Sequence, residues 1–394
     1  MVDTFVESES TGFLGNMGKA IMAVPIGILL FFLSFVVFWK TEGRTDWSKI
    51  AASSTEVAAD NASGNDGEFV SVTGALTSTE KLGDPDFIAP GDYITLDRNT
   101  QMFAWVEHRK SEKKKKVGGG TETITTYNYE MEWTSNPKMA SDFKYPDGHS
   151  NPAKTIDDAE FSVNAASVGA WGFSVADAQI PSGDELGLDG LKLIGKGAKG
   201  AKSGSELILG KSVTASAPAA AEGEAKEGEA AAATTSIGAP QLGDMKVSFR
   251  ALKSGGTVTM FGKADGGKLT RYQVSDDDTY LRAVEGNRDS ALVHLKNEYK
   301  AMGWIGRVVG FLMMWIGMTM VFTPLHAFLD VIPFMGSVSR NLLGCVLFPV
   351  ALVLSTIAIL ISMIFHSIVA MIVIGLLLAG GGFYVWKQKQ AQGS

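Results

Sequence analysis

The stretch AIMAVPIGILLFFLSFVVFW, Ala20 to Trp39, decides how the rest of the chain is read. It holds no Asp, Glu, Lys or Arg, is closed by Lys19 and Lys40, and has the length a helix needs to cross a hydrocarbon core of roughly 30 Å. Lipid offers backbone amides no partners, so a crossing segment must satisfy them within its own helix. Two further uncharged stretches follow, at 308–329 and 341–386. The last would make about 69 Å of helix at 1.5 Å per residue, twice what one crossing uses, so it must fold back. His366 is the most polar point near its middle and marks the turn of a tight helical hairpin. The sequence therefore predicts four transmembrane helices, at 20–39, 308–329, 341–364 and 367–386. They are joined by one large block, 41–307, and an interfacial turn at 330–340, with tails at 1–19 and 387–394.

Of 394 residues, 45% are hydrophobic and 20% charged, and the gathering of the apolar ones into three stretches excludes an ordinary soluble protein. The net charge of −7, from 35 Lys plus Arg against 42 Asp plus Glu, argues against a nucleic-acid binder. Four crossings put both termini on one side and the block on the other. Lys and Arg near the spans slightly favour a cytoplasmic block, with Lys40, Arg44, Lys49, Lys296, Lys300 and Arg307 against Lys19, Arg340, Lys387 and Lys389. Long segments translocate largely regardless of charge, so the count does not decide orientation. The first span is longer than a signal-peptide core and follows Asp3, Glu7 and Glu9, which favours an uncleaved anchor. The lone cysteine, Cys345, lies in a span, so no intrachain disulfide forms.

Within the block, β-branched and aromatic runs alternate with turn residues from Glu68 to Ser174, as in Phe69–Leu76, Tyr93–Leu96 and Gln101–Glu107. Thr121–Trp133 alternates like a strand with one wet face. Between it and Gln101–Glu107 lies a basic stretch, Arg109–Lys116, then Gly118–Gly120, which together read as a long hairpin with a charged tip. A second β segment, Asp244–Val274, contains Asp265-Gly266-Gly267, a turn sequence that supplies positive φ. Residues 213–240 are rich in Ala, Glu and Gly and read as a flexible insert. A short amphipathic helix is expected near Asp184–Ile194, and a longer one at Asn287–Met302, packed on the block or lying on the membrane. The fold class is thus a multi-pass α-helical membrane protein with a β-rich (α+β) domain between its first two spans.

Seven segments in order, FWKTEGR at Phe38–Arg44, FVSVTG at Phe69–Gly74, GDPDF at Gly83–Phe87, QMFAWVE at Gln101–Glu107, YNYEMEW at Tyr127–Trp133, FKYPDGHSNP at Phe143–Pro152 and GDMKVSF at Gly243–Phe249, carry a resemblance. On them the chain resembles the transmembrane protein 43 family, also called LUMA. The resemblance implies a multi-pass endomembrane protein whose large domain faces the lumen in animals or the periplasm in bacterial relatives. In animals it implies residence in the endoplasmic reticulum and inner nuclear membrane, and organisation of membrane protein complexes, emerin and lamins among them. The low-complexity insert suggests a bacterial member, with the block periplasmic at the inner membrane. Lys40 and Thr41 stand where many relatives show Asn before Glu-Gly-Arg.

Catalytic signals are thin. His108, His149 and His294 lie in no nucleophile context. His149 has Asp147 and Asn151 beside it for acid/base work, but Pro146, Gly148 and Pro152 make a loop-stabilising role the simpler reading. Gly195–Ser203 fails phosphate-loop spacing, since Ala201 follows Gly200 where Lys is needed. Asp276–Asp278 lacks the spacing of a calcium loop. Two features point to contacts. Lys113, Lys114, Lys115 and Lys116 at the hairpin tip, with Trp304 near the second span, suit anionic headgroups or an acidic partner, while a solvated tip guarding a sheet edge explains the lysines equally. His326 and Asp330, four apart, suit an intramembrane polar site, although Pro333 and Gly336 favour an interfacial turn there. The sequence predicts no catalytic, cofactor or metal residues. It predicts a non-enzymatic scaffold with lipids, membrane or envelope proteins and its own copies as partners and no nucleic acid; a lipid sensor and a channel-like oligomer are the alternatives.

Overall fold

The structure, a computed structural model, describes residues 3–116, 119–215, 235–276, 278–325, 335–367 and 372. It divides into two compact units: the chain up to Val6 with Ser48–Lys110 and Thr126–His294, and Glu7–Trp47 with Ser111–Thr125 and the chain from Leu295.

The first unit is β-rich. The strands of its two large sheets are β1 (Asp3–Thr11), β2 (Thr55–Val57), β3 (Phe69–Thr77), β4 (Tyr93–Lys115), β5 (Thr121–Thr134), β6 (Ala159–Ser162), β7 (Ala165–Val168), β8 (Trp171–Ser174), β9 (Asp184–Glu185), β10 (Ala201–Ser203), β11 (Glu206–Leu209), β12 (Met245–Lys253), β13 (Thr257–Asp265), β14 (Lys268–Thr270) and β15 (Arg282–Glu285), of which β1, β4 and β5 continue into the second unit. One sheet runs β1–β5–β4–β12–β11–β10, with β6 added on β4 and β9 on β12. The other runs β2–β3–β7–β8–β14–β13–β15, and β13 also pairs with β3, so five strands close a ring. Alternation explains both cores. In β12 the inward series Met245, Val247, Phe249 and Ala251 joins Leu96, Leu207 and Phe87, and in the ring Val70, Val72, Trp171, Phe173, Val258 and Met260 meet. Gly266 and Gly267 have φ of +55° and +78°, and this pair of positive angles turns β13 into β14.

Asp184–Ile194, expected to be a short helix, is instead extended. β9 pairs with Arg250 and Ala251, and Leu186 and Leu188 are buried two apart, at strand rather than helix spacing. Gly183, Gly187 and Gly190 weaken a helix there, and Gly190 adopts φ +76°. Within the insert, Val213–Ala215 and Thr235–Ile237 pair with each other, and 216–234 lies outside the described residues.

The second unit holds most of the helical residues. Among the described residues the main helices are α1 (Phe13–Glu42), α2 (Trp47–Ala52), α3 (Arg288–Val321) and α4 (Met335–Phe365). Among the described residues three are long and apolar enough to cross a membrane: α1, α3 and the Leu343–Phe365 part of α4. The expected helix at 287–302 and the second span as far as Val321 form one element, α3, while 326–329 of that span lie outside the described residues. Its amino end is capped by Asn287, whose Oδ1 accepts from the Ser290 amide at 3.0 Å. Arg288 there donates to Ser71 Oγ and to the carbonyls of Ala52 and Ser54. α1 and α3 pack antiparallel through glycine: a Cβ on Gly317 would stand 2.7 Å from the Gly27 carbonyl oxygen and 2.8 Å from the Phe31 nitrogen. Arg307 grips Glu42 with two hydrogen bonds, of 2.7 and 2.9 Å, and Arg44 lies 4.0 Å from the Tyr299 ring centre. Ser362 of α4 reaches Phe38 of α1, and His366, just past α4, meets Gly43, just past α1, so α4 runs parallel to α1. The predicted fourth span, 367–386, lies outside the described residues apart from Ser367 and Ile372.

The tail 1–19 is structured over its described residues, from Asp3 onward. Asp3–Thr11 adds to the edge of β5, and Asp3–Val6 belongs to the β-rich unit. The alternating half-buried Asp3, Phe5 and Glu7 supply the inward face of an edge strand.

Candidate partner-binding site

The β-rich unit builds one aromatic site around a buried histidine. The segment after β5 turns at Pro146 and Gly148, the latter at φ +82°, and the His149 amide donates to the Pro146 carbonyl at 3.0 Å. This turn drives the His149 side chain inward until it is 1% exposed. Its ring stacks on Tyr129 at 4.1 Å and meets Trp105 edge-on at 4.8 Å. Nδ1 lies 3.0 Å from the Tyr145 carbonyl oxygen and Nε2 3.3 Å from Asp3 Oδ2. The Tyr129 hydroxyl donates to Glu107 and accepts from the Tyr145 amide at 2.9 Å; burial first, then the Glu107 bond, push it up to about 12. Phe5 of β1 closes the site, stacked on Tyr145 at 4.5 Å.

Asn151 bonds the Trp105 backbone at both its amide and its carbonyl, so it ties the loop to β4 instead of serving the imidazole. Asp147 is exposed. The carboxylate that meets His149 is Asp3, 146 positions away in sequence; only the alternation of Asp3 and Phe5 hinted at it, and Glu107, Tyr129 and Tyr145 lay in segments read as plain strand or turn. Among the contacts just named there is no Ser or Cys nucleophile.

Lys113, Lys114, Lys115 and Lys116 are all exposed. Lys116 reaches Glu122 at 3.5 Å and Ser10 Oγ at 3.3 Å, and the tip is tied to α1 through Asn16, which donates to the Gly119 carbonyl and to Thr121 Oγ1 at 2.9 Å each. Trp304 is 66% exposed on α3, with the Arg307 guanidinium 5.6 Å from its ring centre. The lysines and Trp304 are not brought together by any of these contacts. His326 and Asp330 lie outside the described residues. Gly195–Ser203 forms a turn and strand β10 rather than a strand–helix junction, with Gly195 and Gly197 packed on the backbone of Asp86 and Phe87. His108 pairs with Glu132 at 3.4 Å on the surface. A cleft of about 570 Å³ is lined by Asp97, Arg98, Asp158, Glu160 and Arg250. Arg98 there pairs with Asp84, Asp158 accepts from the Thr100 amide, Arg250 donates to the Gly183 carbonyl, and burial, then Glu160, raises the Asp97 carboxyl.

Membrane-length helices joined to a large β-rich domain define a multi-pass integral membrane protein. The family model described as Transmembrane protein 43 matches residues 102–368. The chain belongs to that family. It is 24% identical to Transmembrane protein 43 of Mus musculus over 341 residues, covering 82% of this chain and 79% of the relative. The Homo sapiens protein of the same name is 24% identical over 344 residues, 83% of this chain and 80% of the relative. The Drosophila melanogaster homolog is 26% identical over 344 residues, 82% and 80%. No solved structure matches. Two segments that carried the resemblance, YNYEMEW and FKYPDGHSNP, supply Tyr129, Tyr145 and His149.

Proposed function

We propose that this protein is a non-enzymatic membrane scaffold: four crossings anchor a β-rich head on the extracytoplasmic face, where it organises membrane or envelope proteins. The observation that carries the reading is the contrast between the units. α1 and α4 keep large apolar groups on their outer surfaces, Phe32 at 62% and Val353 at 58% exposure, as lipid-facing helices do, while the head closes two apolar cores of its own. A bacterial chain would hold the head in the periplasm at the inner membrane; a eukaryotic one would hold it in the lumen of the endoplasmic reticulum or at the inner nuclear membrane. Four crossings also demand that β1 leave β5, because about 30 Å of lipid cannot stand between paired strands. The docked tail and the fully inserted first span are then alternative arrangements of one chain.

In-membrane photocrosslinking from exposed head positions, read by mass spectrometry, tests the scaffold role. A reproducible set of membrane or envelope proteins supports it. Stoichiometric lipid and no protein would transfer support to lipid sensing, and ion flux from reconstituted protein to a channel-like oligomer.

A further inference from the structure

We propose that the outer face of the five-stranded ring binds an oligosaccharide carrying an acidic sugar, in a cleft centred on Gly172. The site uses residues of the β-rich unit alone, so it does not depend on how many times the chain crosses the bilayer.

Taken in chain order, the ring strands β3, β7, β8, β13 and β14 close in the order first, second, third, fifth, fourth and back to first. Each pairing is antiparallel except that of the third with the fifth, β8 with β14, which is parallel. That is the closure of an OB barrel, a fold whose second and third strands present their face to oligosaccharides or oligonucleotides. Here those strands are β7 and β8. A cleft of about 590 Å³ lies against them, within the roughly 300–1,000 Å³ of small-molecule sites. β8 and β14 pair at one position, Gly172 with Lys268, and both residues line the cleft.

Gly172 marks where an occupant would approach. Trp171 and Phe173 are buried, so Gly172 and Ser174 face outward; Leu269 is buried, so Lys268 and Thr270 do too. Glycine inside a strand weakens it and signals the close approach of another part of the chain or of a ligand. Gly262 of β13 answers to packing within the protein, because a Cβ there would stand 2.6 Å from Leu281 Cδ1. A Cβ on Gly172 would meet nothing within 4 Å. The backbone is bare there, and no described residue covers it.

The lining selects the class of ligand. Asn164, Ser174, Lys268, Thr270 and Arg271 offer amide, hydroxyl and cationic groups suited to sugar hydroxyls. Two of them are held in place: Asn164 Nδ2 donates to Glu80 Oε2 at 3.1 Å, and Arg271 pairs with Asp177 at 3.0 Å while its Nε donates to the Asp177 carbonyl. Single-stranded nucleic acid needs exposed aromatic platforms for its bases, whereas the aromatic residue of this lining, Phe173, is 4% exposed. Asp177 balances Arg271, and exposed Lys268 adds a positive charge, which favours a sugar carboxylate over a neutral ring.

The full chain in nanodiscs carrying a fluorescent lipid is applied to a printed array of neutral and uronic-acid-bearing tetrasaccharides, with decathymidylate alongside and empty nanodiscs as the blank. Binding to the tetrasaccharides is expected, severalfold stronger for the acidic ones. Gly172→Leu fills the cleft and should weaken binding about tenfold or more, while the unfolding temperature stays level or rises, since a side chain replaces a strand glycine in open space. Lys268→Ser, an exposed change that leaves the fold intact even if Gly172→Leu does not, should erase the preference for acidic sugars and keep the neutral ones bound. No binding to any printed tetrasaccharide, stronger binding to decathymidylate, or binding and preference unchanged by the two substitutions would each overturn the site.

Discussion

Replacing Gly317 with alanine should separate α1 from α3. The added Cβ would stand 2.7 Å from the Gly27 carbonyl oxygen and 2.8 Å from the Phe31 nitrogen, where ordinary van der Waals contact begins at 3.4 Å. Both obstacles are backbone, so no rotamer change relieves them. The helices must part by about 0.6 Å, and a gap of that size forfeits roughly a quarter to a half of each dispersion well along the seam. Overpacking of this kind costs about 1–3 kcal/mol. Gly18 is the matched control: it lies in the same helical unit, an added Cβ would meet nothing within 4 Å, and alanine there improves helix propensity by about 0.5–1 kcal/mol. Thermal unfolding of detergent-purified protein, read by loss of the monodisperse peak, should place Gly317→Ala well below wild type and Gly18→Ala level with it or above. Gly317→Ala matching wild type would refute the close approach of the two helices.

Glu42→Ala removes the bidentate partner of Arg307 and should cost about 1.5–3 kcal/mol in the same assay, with little loss recovered by salt. The head should weaken in alkali. Tyr129 is pushed from 10.0 up to about 12, so the fold favours its neutral form; that stabilisation is whole below pH 10 and disappears as pH rises through about 12, which tyrosinate absorbance against circular dichroism will show. Exposed Glu80 behaves oppositely: the Asn164 and Ala165 amides hold its carboxyl below the usual range, so its contribution is present above the ordinary carboxylate pKa and is lost on acidification below it, an effect that Glu80→Gln should remove from the acid-unfolding curve. Changing Lys113 through Lys116 to serine should reduce binding to anionic vesicles if the tip meets headgroups; unchanged co-sedimentation assigns it to a solvated edge.

The helices were legible because lipid imposes a length and a composition that few other settings demand: Ala20–Trp39 could be read without any partner. The hairpin at Gly266–Gly267 was equally plain, since positive φ is a local requirement. Asp184–Ile194 was misread because its leucines suit a helix face until the pairing of β9 with β12 fixes a strand period. The aromatic site was hidden for a different reason. His149 and its turn were visible, but Asp3 and Phe5 reach it only through strand addition across more than a hundred residues, and nothing local marks an edge strand's destination.

The most direct test of the account is the side on which each part of the chain lies. In sealed vesicles containing protein with Cys345→Ser and a single cysteine at Ser8 or Ser275, an impermeant maleimide should label one position from outside and the other only after the vesicles are opened. Labelling of both from the same face would contradict a first span that carries the chain through the bilayer.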